Sequence, residues 1–150
     1  EKYGSMFLFD VLEHVPDDVA FLRSALHHLR PGGLVFVNLP AYRHLFSVYD
    51  EVAGHLRRYT LSQAVAVGKA AGLDLARATY WGAPYYPLLV ARKWLLKGKQ
   101  SENDIVSSGF DAKGTAMNRL LGLAGRLEPL PQGLFGTSVM TVWRKPGGAA

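Results

Sequence analysis

Three side chains near the start of the chain, Asp10, Glu13 and His14, are of the types that hold hard cations or move protons. They fall at spacing i, i+3, i+4. If the backbone turns helical after the apolar run Met6 to Phe9, all three share one face. Two carboxylates and an imidazole then offer oxygen and nitrogen ligands to a divalent ion such as Mg²⁺ or Mn²⁺. The other reading of Glu13 and His14 is hydrogen bonding to neighbouring loops, which shapes a pocket without any ion. Farther along, His55 lies in the segment Gly54-His55-Leu56-Arg57-Arg58-Tyr59-Thr60. A neutral imidazole accepts a hydroxyl proton near physiological pH, which makes His55 the candidate general base. A bond to Asp50 that only orders the loop is the competing role. Arg57 and Arg58 can clamp an anionic group with both arms of the guanidinium, or one can pair with Asp50 or Glu51 and fix the loop. His55, Arg58 and Asp50 are thus the catalytic candidates, and Tyr59 is read as packing.

These residues need a scaffold that gathers them. Tyr3 to Phe9 reads as a buried strand. Asp17 then caps a helix carrying Val19, Leu22, Leu26 and Leu29 at helical spacing, and Pro31-Gly32-Gly33 should stop it. Leu34 to Leu39 is a near-continuous apolar run, as expected of a parallel strand covered on both faces. Polar groups that follow such strands sit where open α/β sheets bind ligands. Pro40 to Tyr59 has no clean period and reads as a functional loop. Thr60-Leu61-Ser62-Gln63 has the form of a capping box for a helix that ends at Gly72. Leu73 to Tyr80 is expected to be a strand, Ala83 to Lys97 a helix broken near Pro87, and Gly98 to Gly114 a polar connector. Ala116 to Leu127 is expected to be a helix and Gly136 to Arg144 a closing strand. Tyr80, Trp81, Tyr85 and Tyr86 form a dense aromatic group suited to packing or to walling an apolar pocket. His27 and His28 are read as surface.

The composition narrows the classes. The 150 residues are one domain's worth of chain, and 49% hydrophobic content excludes wholesale disorder. With no cysteine, disulfides, thiolate metal sites and a cysteine nucleophile are excluded, which fits a cytoplasmic location. The net charge of +5 is scattered rather than blocky, so nucleic-acid binding is not expected. No stretch has the length of a membrane span. The chain starts at Glu1, almost inside a strand, which reads as a fragment.

The order of these motifs resembles the C-terminal half of the class I S-adenosylmethionine-dependent methyltransferases. The residues that carry the likeness are Asp10-Val11-Leu12-Glu13-His14-Val15, Leu29-Arg30-Pro31-Gly32-Gly33, Leu39-Pro40-Ala41-Tyr42, Asp50 with Gly54 to Thr60, Ala71-Gly72-Leu73 and Phe135-Gly136-Thr137-Ser138. The resemblance implies a partial Rossmann-like α/β fold containing the family's strands four to seven, the last two in an antiparallel edge arrangement. It implies S-adenosylmethionine as cofactor, with Asp10, Leu12 and Glu13 on the cofactor side. The pattern is also similar to a Glu-x-x-Glu-His metal motif of ubiquinone-biosynthesis and small-RNA 2′-O-methyltransferases. There Asp10 would stand in for the first Glu, with Glu13, His14 and His55 completing the set. Two departures stand out. Gly4 replaces an Asp common early in the fourth strand, and the sequence has no Gly-rich turn following a strand.

The expected function is methylation of oxygen or nitrogen on a small-molecule, lipid-like or saccharide acceptor, with the chain inactive by itself. A non-catalytic binding or assembly domain that kept the fold is the alternative. RNA methylation ranks behind both, since it calls for a concentrated basic stripe. Loss of the first strands would expose sheet edge and favour self-association.

Overall fold

The computed structural model describes residues 2–96, 119, 122, 123, 125–127 and 133–147. Eight elements matter for the site: β1 (Tyr3–Phe9), α1 (Asp18–Ala25), β2 (Leu29–Pro40), α2 (Val48–Val52), α3 (Leu61–Ala70), β3 (Asp74–Trp81), α4 (Tyr86–Leu96) and β4 (Ser138–Arg144). The strands form one sheet in the order β1-β2-β4-β3. β1 and β2 are parallel, and β4 runs antiparallel to both β2 and β3. The last strand thus inserts between β2 and β3, the Rossmann-like arrangement implied for strands four to seven.

The core lies on the face of the sheet that carries α1 and α3. Val35, Val37 and Leu39 of β2, Val139 and Trp143 of β4, and Leu22 and Ala64 of the helices are all buried there. Both helices begin where their caps place them. Asp17 Oδ1 accepts from the Ala20 amide at 2.8 Å, and Thr60 and Gln63 satisfy each other's backbone amides. Gly72, at φ +85°, ends the second helix as expected. On the opposite face, Phe7 stacks on Phe36 with centroids 4.8 Å apart, and Tyr3, Phe7 and Phe9 of edge strand β1 are exposed.

Three boundaries differ from the sequence expectation. The first helix ends well before Pro31: a 3₁₀ turn over Leu26–His28 follows α1, and β2 starts at Leu29. Leu29 is still fully buried, so the apolar spacing was meaningful although the backbone had changed state. Pro31-Gly32-Gly33 is an excursion inside β2, where the register with β1 jumps from Tyr3↔Leu29 to Ser5↔Leu34. The helix expected to break near Pro87 instead begins there. A 3₁₀ turn, Ala83–Tyr85, leads into α4 with Pro87 in its first turn, where its missing amide hydrogen is not needed. The third strand lies one residue later than expected, and Leu73 joins the core. The connector Gly98 to Gly114 lies outside the described residues. Of the helix expected over Ala116 to Leu127, the described positions Arg119, Gly122, Leu123, Gly125 and Arg126 are helical.

One contact fixes α3 to the sheet. A Cβ on Gly68 would lie 2.2 Å from the Trp143 ring, which is itself fully buried. Alanine is ordinarily about 1 kcal/mol better than glycine inside a helix. Here the trapped ring should reverse the sign, so Gly68→Ala is expected to destabilise by about 1–3 kcal/mol, read from the midpoint of urea unfolding.

Candidate functional site

At the end of β1 the chain does not turn helical. Asp10 takes a left-handed backbone, φ +53°, and a single 3₁₀ turn, Leu12–His14, follows. The Asp10 amide bonds the Asn38 carbonyl at 3.1 Å, and its Oδ1 accepts from Asn38 Nδ2 at 3.0 Å. Trp81 Nε1 donates to Asn38 Oδ1 at 2.8 Å, completing a polar relay across three strands. Asp10 is therefore oriented by β2 and separated from the face it was expected to share with Glu13 and His14. Leu12, the next residue but one, is buried in the core.

The long loop after β2 returns to its own base. Tyr42 N bonds Tyr59 O and Tyr59 N bonds Pro40 O, both at 2.9 Å. The far part of the loop is stitched to the 3₁₀ turn. Leu56 N bonds Glu13 O at 2.8 Å, and His14 Nδ1 donates to Gly54 O at 3.1 Å. The two sequence segments singled out above thus meet: the rings of His14 and His55 lie 4.7 Å apart in an edge-on arrangement.

Behind His55 stands Asp50, fully buried. Its Oδ1 accepts from His55 Nδ1 at 2.9 Å, Arg58 Nε at 2.8 Å and Arg58 Nη2 at 2.7 Å. Its Oδ2 accepts from the Ser47 amide at 2.8 Å and the Ser47 hydroxyl at 3.1 Å. Burial alone would push this carboxyl up. The Arg58 charge and hydrogen bond, with those of His55 and Ser47, outweigh it and hold the group below its ordinary value. An ionised Asp50 fixes the proton on His55 Nδ1 and leaves the Nε2 lone pair for chemistry. The carbonyl of Gly54 does the same for His14. His55 is thus bonded to Asp50, as one of its two expected roles has it. Asp50 lies on the Nδ1 side of the imidazole, with Arg58 beyond it.

Glu13 is the least satisfied group here. It is fully buried, and neither carboxylate oxygen has a hydrogen-bond partner among the described residues. Burial, only partly offset by its backbone hydrogen bond, pushes its pKa up to about 7. One ligand atom from each of Glu13, His14 and His55 lies within 4.8 Å of the others. An unpartnered buried carboxylate beside two imidazoles, each with its Nδ1 already in a hydrogen bond, is a donor set of the oxygen and nitrogen types divalent cations take. Asp10 is not part of this set.

Arg57 is bonded within the protein itself. It donates to the Val15 and Pro16 carbonyls at 2.9 and 2.7 Å and pairs with Asp18 at 3.3 Å. Tyr59 is packing, as expected, with its hydroxyl on Asp18 and on the Leu12 carbonyl. The aromatic group divides. Tyr80 is buried and stacks on Tyr42 at 5.2 Å, while Tyr86 bonds His44 Nε2 at 2.6 Å. Sequence reasoning passed over Asn38, Tyr42 and His44. Asn38 was detectable as the one amide in an apolar strand. Tyr42 was visible only as the end of the Leu39-Pro40-Ala41-Tyr42 motif; its φ of +58° and its place stacked between His44 and Tyr80 were not.

The sheet order is that of the Rossmann-like fold of the class I S-adenosylmethionine-dependent methyltransferases, which the chain resembles. No family model matches the sequence. A curated relative, the ubiquinone biosynthesis O-methyltransferase of Parvibaculum lavamentivorans (strain DS-1), is 33% identical over 109 residues, covering 64% of this chain and 42% of that protein. Among solved structures, the [4+2]-cyclase SpnF superposes with a TM-score of 0.54 at 16% identity, covering 98% of this chain and 51% of the other. The phosphoethanolamine N-methyltransferase 2 of Haemonchus contortus, in complex with S-adenosyl-L-methionine, gives 0.50 at 14% identity, covering 96% and 33%. The chain thus spans about half the length, or less, of these three proteins.

Two outcomes test this geometry. Glu13 holds its proton more tightly folded than unfolded, so its contribution to stability is full below the unfolded value of 4.5 and lost as pH rises through about 7. Metal-free Glu13→Gln protein should lose that pH dependence and be the more stable in alkaline buffer by up to about 3 kcal/mol, which urea titrations across pH would show. Asp50→Asn and Arg58→Ala should each cost about 3–5 kcal/mol by stranding a buried charge, and the double variant should cost less than their sum.

Proposed function

We propose that these residues form the C-terminal portion of one methyltransferase domain that methylates oxygen or nitrogen on a small-molecule, lipid-like or saccharide acceptor. The observation that carries this reading is the Asp50–His55 pair, held by Arg58, beside Glu13 and His14 at the carboxyl ends of β1 and β2. S-adenosylmethionine, when bound, supplies an already activated methyl group. What remains for the chain is alignment of the acceptor and removal of its proton. His55 Nε2 takes the proton, and buried Asp50 stabilises the resulting imidazolium. Arg58 keeps Asp50 ionised and fixed. Asp10, exposed at the tip of β1, and the backbone of the Leu12–His14 turn are this half's contribution to the cofactor side.

A cavity of about 320 Å³ lies beside α2, the helix that carries Asp50. Phe46, Val48 and Trp94 line it with Ser47, Glu51 and Lys93, walls that suit an acceptor with an apolar body. The exposed aromatics of β1 would support self-association of the chain as it stands, which light scattering reads.

The unpartnered oxygens of Glu13 favour a second reading of the same cluster, in which Glu13, His14 and His55 hold Mg²⁺ or Mn²⁺. A divalent ion there would polarise an acceptor oxygen. The two readings exclude each other at His55, because a metal on Nε2 occupies the lone pair that a base needs.

Calorimetry of the protein read from its complete reading frame is expected to give heat with S-adenosylmethionine. A folded protein that gives none would leave the binding or assembly role. With turnover in hand, His55→Ala should lower kcat by about 10²–10⁴-fold. Under the base reading, added Mn²⁺ or EDTA leaves the wild-type rate unchanged. Under the metal reading, EDTA abolishes it and Glu13→Gln removes the heat of Mn²⁺ binding.

A further inference from the structure

Helix α4 is built inside out. Its described exposed residues are Pro87, Leu88, Ala91 and Trp94, which fall on one helical face and carry no charge. Trp94 is 70% exposed. Its two cations turn the other way, toward the body of the protein. Arg92 lies over the Tyr49 ring at 4.2 Å, and Lys93 Nζ donates to the His44 carbonyl at 2.5 Å. A surface helix of a soluble protein ordinarily shows the reverse pattern.

The neighbouring surface has the same character. Phe135 packs its ring edge-on to Tyr86 at 5.8 Å, and Gly125 lies against the Tyr85 hydroxyl. These contacts bring two further apolar groups beside the start of α4. Leu123 is 57% and Leu134 78% exposed, with Leu127 and Phe135 also exposed. Arg119 and Arg126 flank Leu123 across a shallow concavity. The sequence between Pro84 and Ser101 holds Arg92, Lys93, Lys97 and Lys99 and no acid.

We propose that this face docks on an anionic phospholipid surface, with α4 lying in the plane of the headgroups. Leu88 and Trp94 of α4, with Leu123 set between the exposed Arg119 and Arg126, match the two demands of that interface: apolar insertion below the phosphates and positive charge at their level. A second copy of the chain would bring the same cations face to face, so charge disfavours a dimer through this patch. No described helix is long and apolar enough to cross a membrane, so the association is peripheral.

The test is co-sedimentation of the protein with phosphatidylcholine vesicles, with and without roughly a third phosphatidylglycerol. Binding to the anionic vesicles is expected, weakened by high salt and weaker by about tenfold or more on neutral ones. Leu88→Asp with Leu134→Asp, folded as wild type by circular dichroism, should reduce anionic binding at least tenfold. Arg119→Glu with Arg126→Glu should lower it on anionic vesicles alone. No sedimentation with anionic lipid overturns the proposal. So does binding that ignores the leucine substitutions, or a dimer by light scattering that those substitutions dissolve.

Discussion

The site rests on the buried carboxylate of Asp50. Asp50 is carried by the short helix α2, but His55 lies in the loop beyond it, where backbone geometry alone would not hold an imidazole to a fraction of an ångström. Five donors from Ser47, His55 and Arg58 converge on the two Asp50 oxygens. Arg58 in turn donates to the Ala41 carbonyl at 3.1 Å, tying the cluster to the end of β2. A charge buried this well must be fully hydrogen-bonded to be tolerated at all. The loop therefore has one low-energy arrangement, and His55 inherits its orientation and tautomer from it.

Glu13 is the counterexample a few ångströms away. It is as buried as Asp50 but no side chain among the described residues donates to it, and its pKa moves in the opposite direction. Two carboxyl groups thus sit in one cluster, one held ionised and one pushed toward neutrality. The fold alone does not choose a chemistry: SpnF, a [4+2]-cyclase, shares it with methyltransferases.

Much of the architecture was legible in the sequence because its signals were local. The two caps, the apolar run of β2 and the buried stripe through Leu22, Leu26 and Leu29 each reported a short-range preference that tertiary packing reinforced. The misplaced boundaries had non-local causes. Pro31-Gly32-Gly33 reads as a helix stop, yet Gly32 N bonds Lys145 O and Lys145 N bonds Gly33 O, so the segment is absorbed into β2 by a residue from the far end of the chain. The convergence of Glu13, His14 and His55 was legible as a pattern. The exclusion of Asp10 was not, because it follows from one left-handed residue and a bond to Asn38 on another strand. The roles of Asp50 and Arg58 likewise depended on depth, which spacing does not report.

The loop that carries His55 is pinned where it leaves the sheet. Ala41 and Tyr59 pair as a parallel bridge, and the strand ahead and the helix behind are held by the core whatever lies between them. Closure entropy grows only slowly with the number of residues enclosed. Residues could therefore be added between Phe46 and Ser47 at small closure cost, with the Asp50 anchor and the buried Leu45 left in place. That junction gives evolution a separate dial, on which the reach of the loop can drift while the Asp50–His55–Arg58 cluster stays constant.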